Sequence, residues 1–194
     1  MYRNFMRFLE TQNFEYGLKK VIFKDSSTNL MKLDGSYFYE KNQYDVDVVN
    51  DILIAKAYDR FYFGLFDYSD NSISTDTFAG LRISENDEYI IASTGLYEYD
   101  YKYFILDRKG QKILPNPFQK VKHLFEDLFY VNNKSIHNVI NQKGEVIIPD
   151  CDTNVNSICQ KYIVQLYKDT LQIINKKGKV MLSIKDGQIP IDIY

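Results

Sequence analysis

The sequence predicts an all-β fold of tandem β-hairpin repeats, with a period of about 34–40 along the chain. The repeats form either a propeller-like ring or an open stacked β array. The main observation is a string that returns at a fixed interval, as DRKGQKILP (107–115), NQKGEVIIP (141–149) and NKKGKVMLS (175–183). Short apolar runs of strand length flank each copy. The composition agrees, because 17 Tyr and 13 Phe, with many Ile and Val, favour strands.

Each copy of the string predicts a tight turn between two antiparallel strands. Gly110, Gly144 and Gly178 are equally spaced, and each has Asp or Asn three positions earlier. Asp or Asn at the start of a turn accepts hydrogen bonds from the backbone N–H groups ahead of it. Glycine then reaches the left-handed conformation that such a hairpin loop requires.

The same frame continues upstream with two variations. Asp67 precedes Asp107 by a slightly longer interval than the one between the glycines, and Asp70 stands where the glycine would be. Asp34 precedes Asp67 by almost the regular interval, and the pair Asp34-Gly35 predicts a shorter, two-residue hairpin. The predicted hairpins are therefore anchored at Asp34, Asp67, Asp107, Asn141 and Asn175.

Further apolar stretches predict a third strand for each unit. They are DILIAKAY (51–58), EYIIASTGLYEY (88–99), EDLFYVNN (126–133) and KYIVQLY (161–167). Two less regular segments, FQKVKHLF (118–125) and CDTNVNSI (151–158), are either loop or a short fourth strand. The tail GQIPIDIY (187–194) predicts a last strand, and its pairing with N-terminal sequence would remove an open edge.

A single β-repeat domain over residues 1–194 follows from this pattern. A three-stranded unit cannot bury its own apolar face, so units must stack on one another. The predicted units lie near 22–58, 59–99, 100–133, 134–167 and 168–194.

These repeats resemble the bacterial WG-repeat family, whose unit reads roughly Trp-Gly-x-Ile-Asp-x-x-Gly-Lys, followed by an apolar strand and Pro. FGLFD (63–67) matches the opening with Phe for Trp, and YFILDRKG (103–110) matches with Tyr for Trp and Phe for Gly. HNVINQKG (137–144) and LQIINKKG (171–178) keep the later part, and the chain contains no Trp. The resemblance covers about residues 30–185 and implies a β-repeat interaction scaffold.

Charge and hydropathy exclude several classes of protein. The net charge of −2 argues against a nucleic-acid-binding protein, although residues 1–100 carry −7 and residues 101–194 carry +5. We expect neither a signal peptide nor a membrane span, since no stretch approaches 18 apolar residues. Two cysteines are too few for a disulfide scaffold, so we expect a reducing cytoplasm.

Residues that could carry chemistry are few, and a structural role explains each of them. His123, His137, Cys151 and Cys159 lack the close pairs of a structural zinc site. One carboxylate per unit could cleave glycosides if the units brought these groups together, but Asn replaces Asp in the last two turns. Asn can hold a turn but cannot act as an acid or base, so we predict no catalytic residue, no metal and no cofactor.

The candidate binding residues are four tyrosines in YEYDYKYF (97–104). Tyr97, Tyr99, Tyr101 and Tyr103 alternate with other residues, so a strand places them on one face. That face either packs in the core or forms an exposed contact surface of the kind used in protein and sugar recognition.

The resulting hypothesis is a non-enzymatic bacterial or phage module that binds another protein through Tyr-rich strand faces and loops. One alternative is a carbohydrate-binding or glycoside-cleaving domain lined by Asp and Tyr. The other is a structural component of a larger assembly, in which the uneven charge of the two halves drives head-to-tail association.

Overall fold

A computed structural model describes residues 8–11 (backbone only), 16–57, 62–73, 76–84, 88–95 and 100–185. The chain forms two compact units. The first comprises Met1–Asp100 and Leu106–Lys112, and the second comprises Tyr101–Ile105 and Ile113–Tyr194.

Three small antiparallel sheets follow one another from the N-terminal end of the chain. The first has the order β1-β2-β3, with β1 at Phe8–Thr11, β2 at Leu18–Phe23 and β3 at Thr28–Lys32. The second has the order β4-β5-β6, with β4 at Val46–Val48, β5 at Leu53–Ala57 and β6 at Phe63–Asp67. The third has the order β7-β8-β9, with β7 at Gly80–Ile83, β8 at Tyr89–Thr94 and β9 at Lys102–Asp107. Residues of β9 belong to both compact units.

The second unit adds two four-stranded antiparallel sheets. The fourth sheet runs β10-β11-β12-β13, with strands Lys120–Phe125, Leu128–Asn133, Ile136–Asn141 and Val146–Ile148. The fifth sheet runs β14-β15-β16-β17, with strands Asn156–Ile158, Tyr162–Tyr167, Thr170–Asn175 and Val180–Lys185.

The predicted all-β repeat fold is confirmed, and no α-helix occurs in the described part of the chain. Each stretch predicted as a third strand contains the second strand of a sheet, namely β5, β8, β11 and β15. The two segments left open, 118–125 and 151–158, contain the strands β10 and β14. No described helix is long and apolar enough to cross a membrane.

Side-chain oxygens hold the predicted turns in the expected way. Oδ1 of Asp107 accepts from the backbone N–H of Lys109 at 2.8 Å and of Gln111 at 2.9 Å. Oδ1 of Asn141 accepts from the equivalent groups of Lys143 and Glu145, both at 3.0 Å. Asp67 and Asn175 repeat this pattern. The prediction that these residues accept hydrogen bonds from the backbone is confirmed, since Asp and Asn each accept two of them.

The first hairpin corrects the sequence prediction. Lys32, not Asp34, takes the first turn position: its N–H donates to Ser36 O at 2.9 Å, and Gly35 N–H donates to Lys32 O at 3.0 Å. Asp34 lies two positions further on and accepts from Ser36 N–H at 2.9 Å. The predicted two-residue turn is wrong because it requires a positive φ at both central residues, and here Gly35 has one while Asp34 does not.

Asp70 replaces the turn glycine in the second sheet and adopts a φ of 62°. Its carboxylate lies 2.7 Å from Lys56 Nζ and accepts from the Tyr39 hydroxyl at 3.3 Å. Burial and the neighbouring Asp70 charge raise the pKa of Tyr39. These contacts offset the cost of a left-handed conformation at a residue with a side chain.

The turn of one sheet packs on the sheet before it. A Cβ built on Gly144 would lie 3.3 Å from Leu114, and one built on Gly178 would collide with the carbonyl oxygen of Ile147. Both glycines have a φ close to +80° and therefore serve two purposes, the turn conformation and the close approach of an earlier segment, which for Gly178 is β13.

The sheets begin at a different strand of the repeat from the predicted units. The predicted units begin with the strand that precedes the Asx turn, whereas in the fourth and fifth sheets that strand, β12 or β16, is third in order. The predicted terminal strand at 187–194 lies outside the described residues. The single domain over 1–194 stays a prediction.

Each unit has its own apolar core. In the first unit Leu18 and Leu30 pack with Val46, Val48 and Ile54, so the first and second sheets share a core. In the second unit Leu128 and Val139 of the fourth sheet pack with Ile163 and Ile174 of the fifth. Ile163 is fully buried and Ile174 is nearly so, which fixes the inner face of the fifth sheet.

Alanine at the two turn glycines provides a test of the packing between the fourth and fifth sheets. Both variants lose the glycine that a positive φ favours, at a cost of about 1–2 kcal/mol. Gly178→Ala adds a collision with backbone, and we expect about 1–3 kcal/mol more for it than for Gly144→Ala, whose neighbour is a flexible Leu side chain. Urea unfolding followed by circular dichroism measures both, and equal losses would contradict the packing described here.

Candidate functional site

The fifth sheet presents an apolar outer face. Its register pairs Val164 with Ile173 and Ile173 with Leu182, so these three side chains share one face. The same argument applied along the four strands gives the complete set, which we call the C-terminal apolar face: Ile158, Tyr162, Val164, Leu166, Leu171, Ile173, Leu182 and Ile184.

This face is open to solvent. Leu166 is 51 % exposed, Leu182 is 47 % and Ile158 is 43 %, and the other members are half-buried or partly exposed. The opposite face carries the buried residues Ile163, Ile174 and Gln165, and Gln165 Nε2 donates to Gln172 Oε1 at 2.9 Å. The fifth sheet therefore carries apolar side chains on both faces, although its core contacts in the second unit involve only one of them.

β17, which is at the edge of the fifth sheet among the described strands, extends the exposed apolar surface. β17 is the last strand in the order of the fifth sheet, and Val180 and Met181 are 44 % and 55 % exposed. Met181 is the extra residue of a bulge, because Ile173 pairs with Leu182 while Ile174 pairs with Val180. Exposed apolar edges of this kind are sites where another chain can dock.

Lysines frame the C-terminal apolar face at both ends of its strands. Residues 156–185 contain six Lys and one Asp, and no Glu. Lys161, Lys176, Lys177 and Lys179 lie at the end of the sheet where β15 begins, and Lys168 and Lys185 lie at the other end. Lys176 pairs with Glu126 at 2.9 Å, and this partner raises its pKa. The site thus has an apolar centre and a cationic rim.

The predicted tyrosine site is described only in part. Tyr97 and Tyr99 lie outside the described residues. Tyr101 and Tyr103 are both half-buried, and their rings meet edge to face with centroids 6.1 Å apart. Tyr103 also exchanges two backbone hydrogen bonds with Phe118, of 2.7 and 2.9 Å. These two residues lie close together, and their role in binding stays a prediction.

Both histidines are engaged in local contacts. His137 Nδ1 lies 2.7 Å from the Tyr130 hydroxyl, and the two rings stack with centroids 6.1 Å apart. His123 Nε2 lies 2.9 Å from the backbone oxygen of Glu126. Within the described ranges, no group of three or more His, Cys, Asp or Glu side chains is placed to hold a metal ion.

The two cysteines have different environments. Cys151 is buried and its N–H donates to His137 O at 2.8 Å, whereas Cys159 is exposed. Burial raises the pKa of the Cys151 thiol to about 11. A nucleophilic cysteine needs the opposite shift, because the thiolate is the reactive form.

The turn carboxylate of Asp67 is also occupied by its own turn. The side-chain hydrogen bond from Asn71, at 2.9 Å, and those from the backbone N–H of Asn71 and Ser69 lower the pKa of Asp67. A general acid needs a raised pKa, so this group is suited to holding the turn.

Sequence comparison places the chain in no family: no protein-family model and no curated protein matches it. Solved structures similar to it are BamB from Moraxella catarrhalis (12 % identity, TM-score 0.42) and Hsv2 from Kluyveromyces lactis (12 %, 0.43). The C-terminal WD40 domain of Sif2 is also similar (10 %, 0.40). These matches cover 89 %, 92 % and 89 % of this chain but only 62 %, 63 % and 58 % of the other chains. The chain thus spans about three fifths of their length.

Sequence analysis missed the C-terminal apolar face. Two signals for it are present, the density of Lys over residues 156–185 and the apolar runs of β15, β16 and β17. Runs that are apolar on both faces are typical of strands covered on both sides. The sequence does not indicate which of those faces lacks a cover.

Thiol labelling tests the two cysteine environments. At pH 8 about a thousandth of the Cys151 thiol is ionised, given a pKa of about 11, and the side chain is buried. We expect Ellman's reagent to titrate one thiol per native chain, Cys159, and two in urea. Rapid reaction of both thiols in the native protein would contradict the burial of Cys151, and Cys159→Ser identifies the reactive thiol.

Proposed function

We propose that the chain is a non-enzymatic β-repeat module that binds another protein. The C-terminal apolar face is the observation that supports this function most strongly. Monomeric soluble proteins rarely expose large contiguous apolar patches, and those that do use them for interaction. The resemblance to the WG-repeat family, which is thought of as a group of interaction scaffolds, points the same way.

The chemistry of the face defines the kind of partner. Its centre is made of uncharged side chains such as Leu166 and Leu182, both about half exposed. This centre would exclude water on binding, while the surrounding lysines remain at the rim. The complementary surface is therefore apolar at its centre and acidic at its periphery. A nucleic acid fits less well, because the cations lie at the two ends of the strands and not along the face.

Single charge substitutions within the face test the proposal. Leu166→Lys and Leu182→Lys place an amine in the apolar centre, and each should weaken partner binding at least tenfold. Because both side chains are about half exposed, the melting temperature should barely change. The partner is captured from lysate of the native cell, purified, and titrated against each variant by biolayer interferometry.

Two controls separate this face from other surfaces. Ile136→Lys introduces the same charge at a 56 % exposed position of β12, and we expect its affinity to stay within twofold of the original. Replacing Tyr97, Tyr99 and Tyr101 by Ala tests the predicted tyrosine site. If only the tyrosine variant loses binding, the interface is not on the fifth sheet.

A second candidate function is assembly with copies of the same chain. The observation that favours it is the charge distribution, −7 over residues 1–100 against +5 over residues 101–194, together with the cationic rim of the fifth sheet. A head-to-tail contact brings opposite charges together, whereas two C-terminal apolar faces would bring two lysine rims together.

Sedimentation velocity at two salt concentrations tests the assembly. We expect oligomers at 20 mM NaCl and monomers at 500 mM, because the screening length falls from about 20 Å to about 4 Å over this range. Lys177→Glu and Lys179→Glu together should weaken the low-salt oligomer. A monomer at both salt concentrations rejects this candidate and leaves the binding of another protein unaffected.

A further inference from the structure

A cleft of about 580 Å³ lies beside the first sheet, far in sequence from the C-terminal apolar face. One wall is the turn between β2 and β3, and the other is the segment 42–45. Two backbone hydrogen bonds join the walls, from Thr28 N–H to Gln43 O at 2.8 Å and from Gln43 N–H to Thr28 O at 2.7 Å. The cleft is therefore preformed.

The polar side chains of the cleft are held in place by one another. Ser27 Oγ donates to Asp25 Oδ1 at 2.5 Å, and Asn42 Nδ2 donates to Ser27 Oγ at 3.1 Å. Asn29 Nδ2 lies 3.3 Å from Asn42 Oδ1, which fixes the orientation of that amide. An orientated row of carboxylate, hydroxyl and amide groups is suited to recognising several hydroxyls of one ligand.

The cationic group of the cleft is already neutralised. Lys20 Nζ lies 2.7 Å from Asp45 and 3.2 Å from Asp47. Burial lowers the pKa of Lys20, but the hydrogen bonds and charges of the two aspartates outweigh it, so the pKa is raised. The lysine thus stays charged and bound to carboxylates, which leaves the cleft poorly suited to an anion and favours a neutral ligand.

Exposed tyrosine rings accompany these polar groups. Tyr44 is 54 % exposed and lines the cleft. A second cleft of about 590 Å³ shares Asp25 and Asn42 with the first. It is lined by Tyr37, which is 41 % exposed. The ring centroids of Tyr37 and Phe23 are 5.8 Å apart. A tyrosine ring offers an apolar surface with a polar tip, which matches a pyranose, whose C–H groups face one way and whose hydroxyls point outward.

We propose that these two adjoining clefts bind a neutral oligosaccharide, one sugar ring against Tyr44 and a second against Tyr37, with Asp25 and Asn42 binding hydroxyls between them. The site shares no residue with the proposed protein interface and does not depend on it. It binds the sugar without cleaving it.

Titration of the full chain with defined neutral sugars tests the proposal. The probes are maltotriose, cellotriose and tri-N-acetylchitotriose, each followed by isothermal calorimetry and by chemical shifts of the labelled protein. We expect a dissociation constant below 1 mM for at least one probe. Tyr44→Ala and Asn42→Ala should each weaken it at least tenfold, and Tyr162→Ala, an exposed tyrosine of the fifth sheet, should leave it within twofold.

Two results would overturn the proposal. One is the absence of binding by all three probes at 10 mM, and the other is competition by inorganic phosphate.

Discussion

The structure depends on one small interaction, the acceptance of two backbone N–H groups by an Asp or Asn oxygen at the first turn position. In the Asn141 turn both hydrogen bonds are 3.0 Å, and in the Asp107 turn they are 2.8 and 2.9 Å. The rest of the side chain adapts to its neighbour: Asn141 Nδ2 donates to Glu145, while Asp67 Oδ2 accepts from Asn71. The turn thus needs an oxygen and tolerates either residue type, which is why carboxylates disappear from the last two repeats without loss of the fold.

The same turn also sets how the sheets pack. Where the turn residue is Gly178, the strand before it approaches so closely that no Cβ fits. Where it is Asp70, the side chain contacts Lys56 and Tyr39. Local backbone conformation and packing between neighbouring sheets are therefore coupled at a single residue, and a change at that residue acts on both.

How much the sequence predicts follows from the range of the interactions involved. The Asx-x-x-Gly turns and the strands beside them depend on side chains that are close neighbours along the chain, and the sequence predicts them well. Lys32 was missed because Asp34-Gly35 carries a stronger two-residue turn signal, while the actual turn uses Gly35 for its left-handed residue and Lys32 in the Asx position. The grouping of strands into sheets was not predicted for another reason. The repeat period gives the number of residues in a unit, but it does not indicate with which strand each sheet begins.

The sequence does not predict features that depend on contacts between residues distant along the chain. The cleft beside the first sheet exists because Thr28 pairs with Gln43, a contact that no local pattern indicates. The C-terminal apolar face exists because apolar side chains occupy both faces of the fifth sheet, while Ile163 and Ile174 of only one face enter the described core. Periodicity shows that such a strand is apolar but does not show what covers each of its faces.

Three candidate reactive groups serve the scaffold in the described part of the chain. The Cys151 thiol has a raised pKa, the Asp67 carboxyl a lowered one, and His137 stacks on Tyr130. Both pKa shifts oppose the chemistry that the residue could perform, and all three arrangements favour the hydrogen bonds or burial that hold the repeat together. Groups that stabilise the scaffold in this way are withdrawn from solvent or from reaction. The two surfaces proposed for binding are of another kind: the lysine-rimmed apolar face of the fifth sheet, and the clefts with exposed tyrosines beside the first sheet.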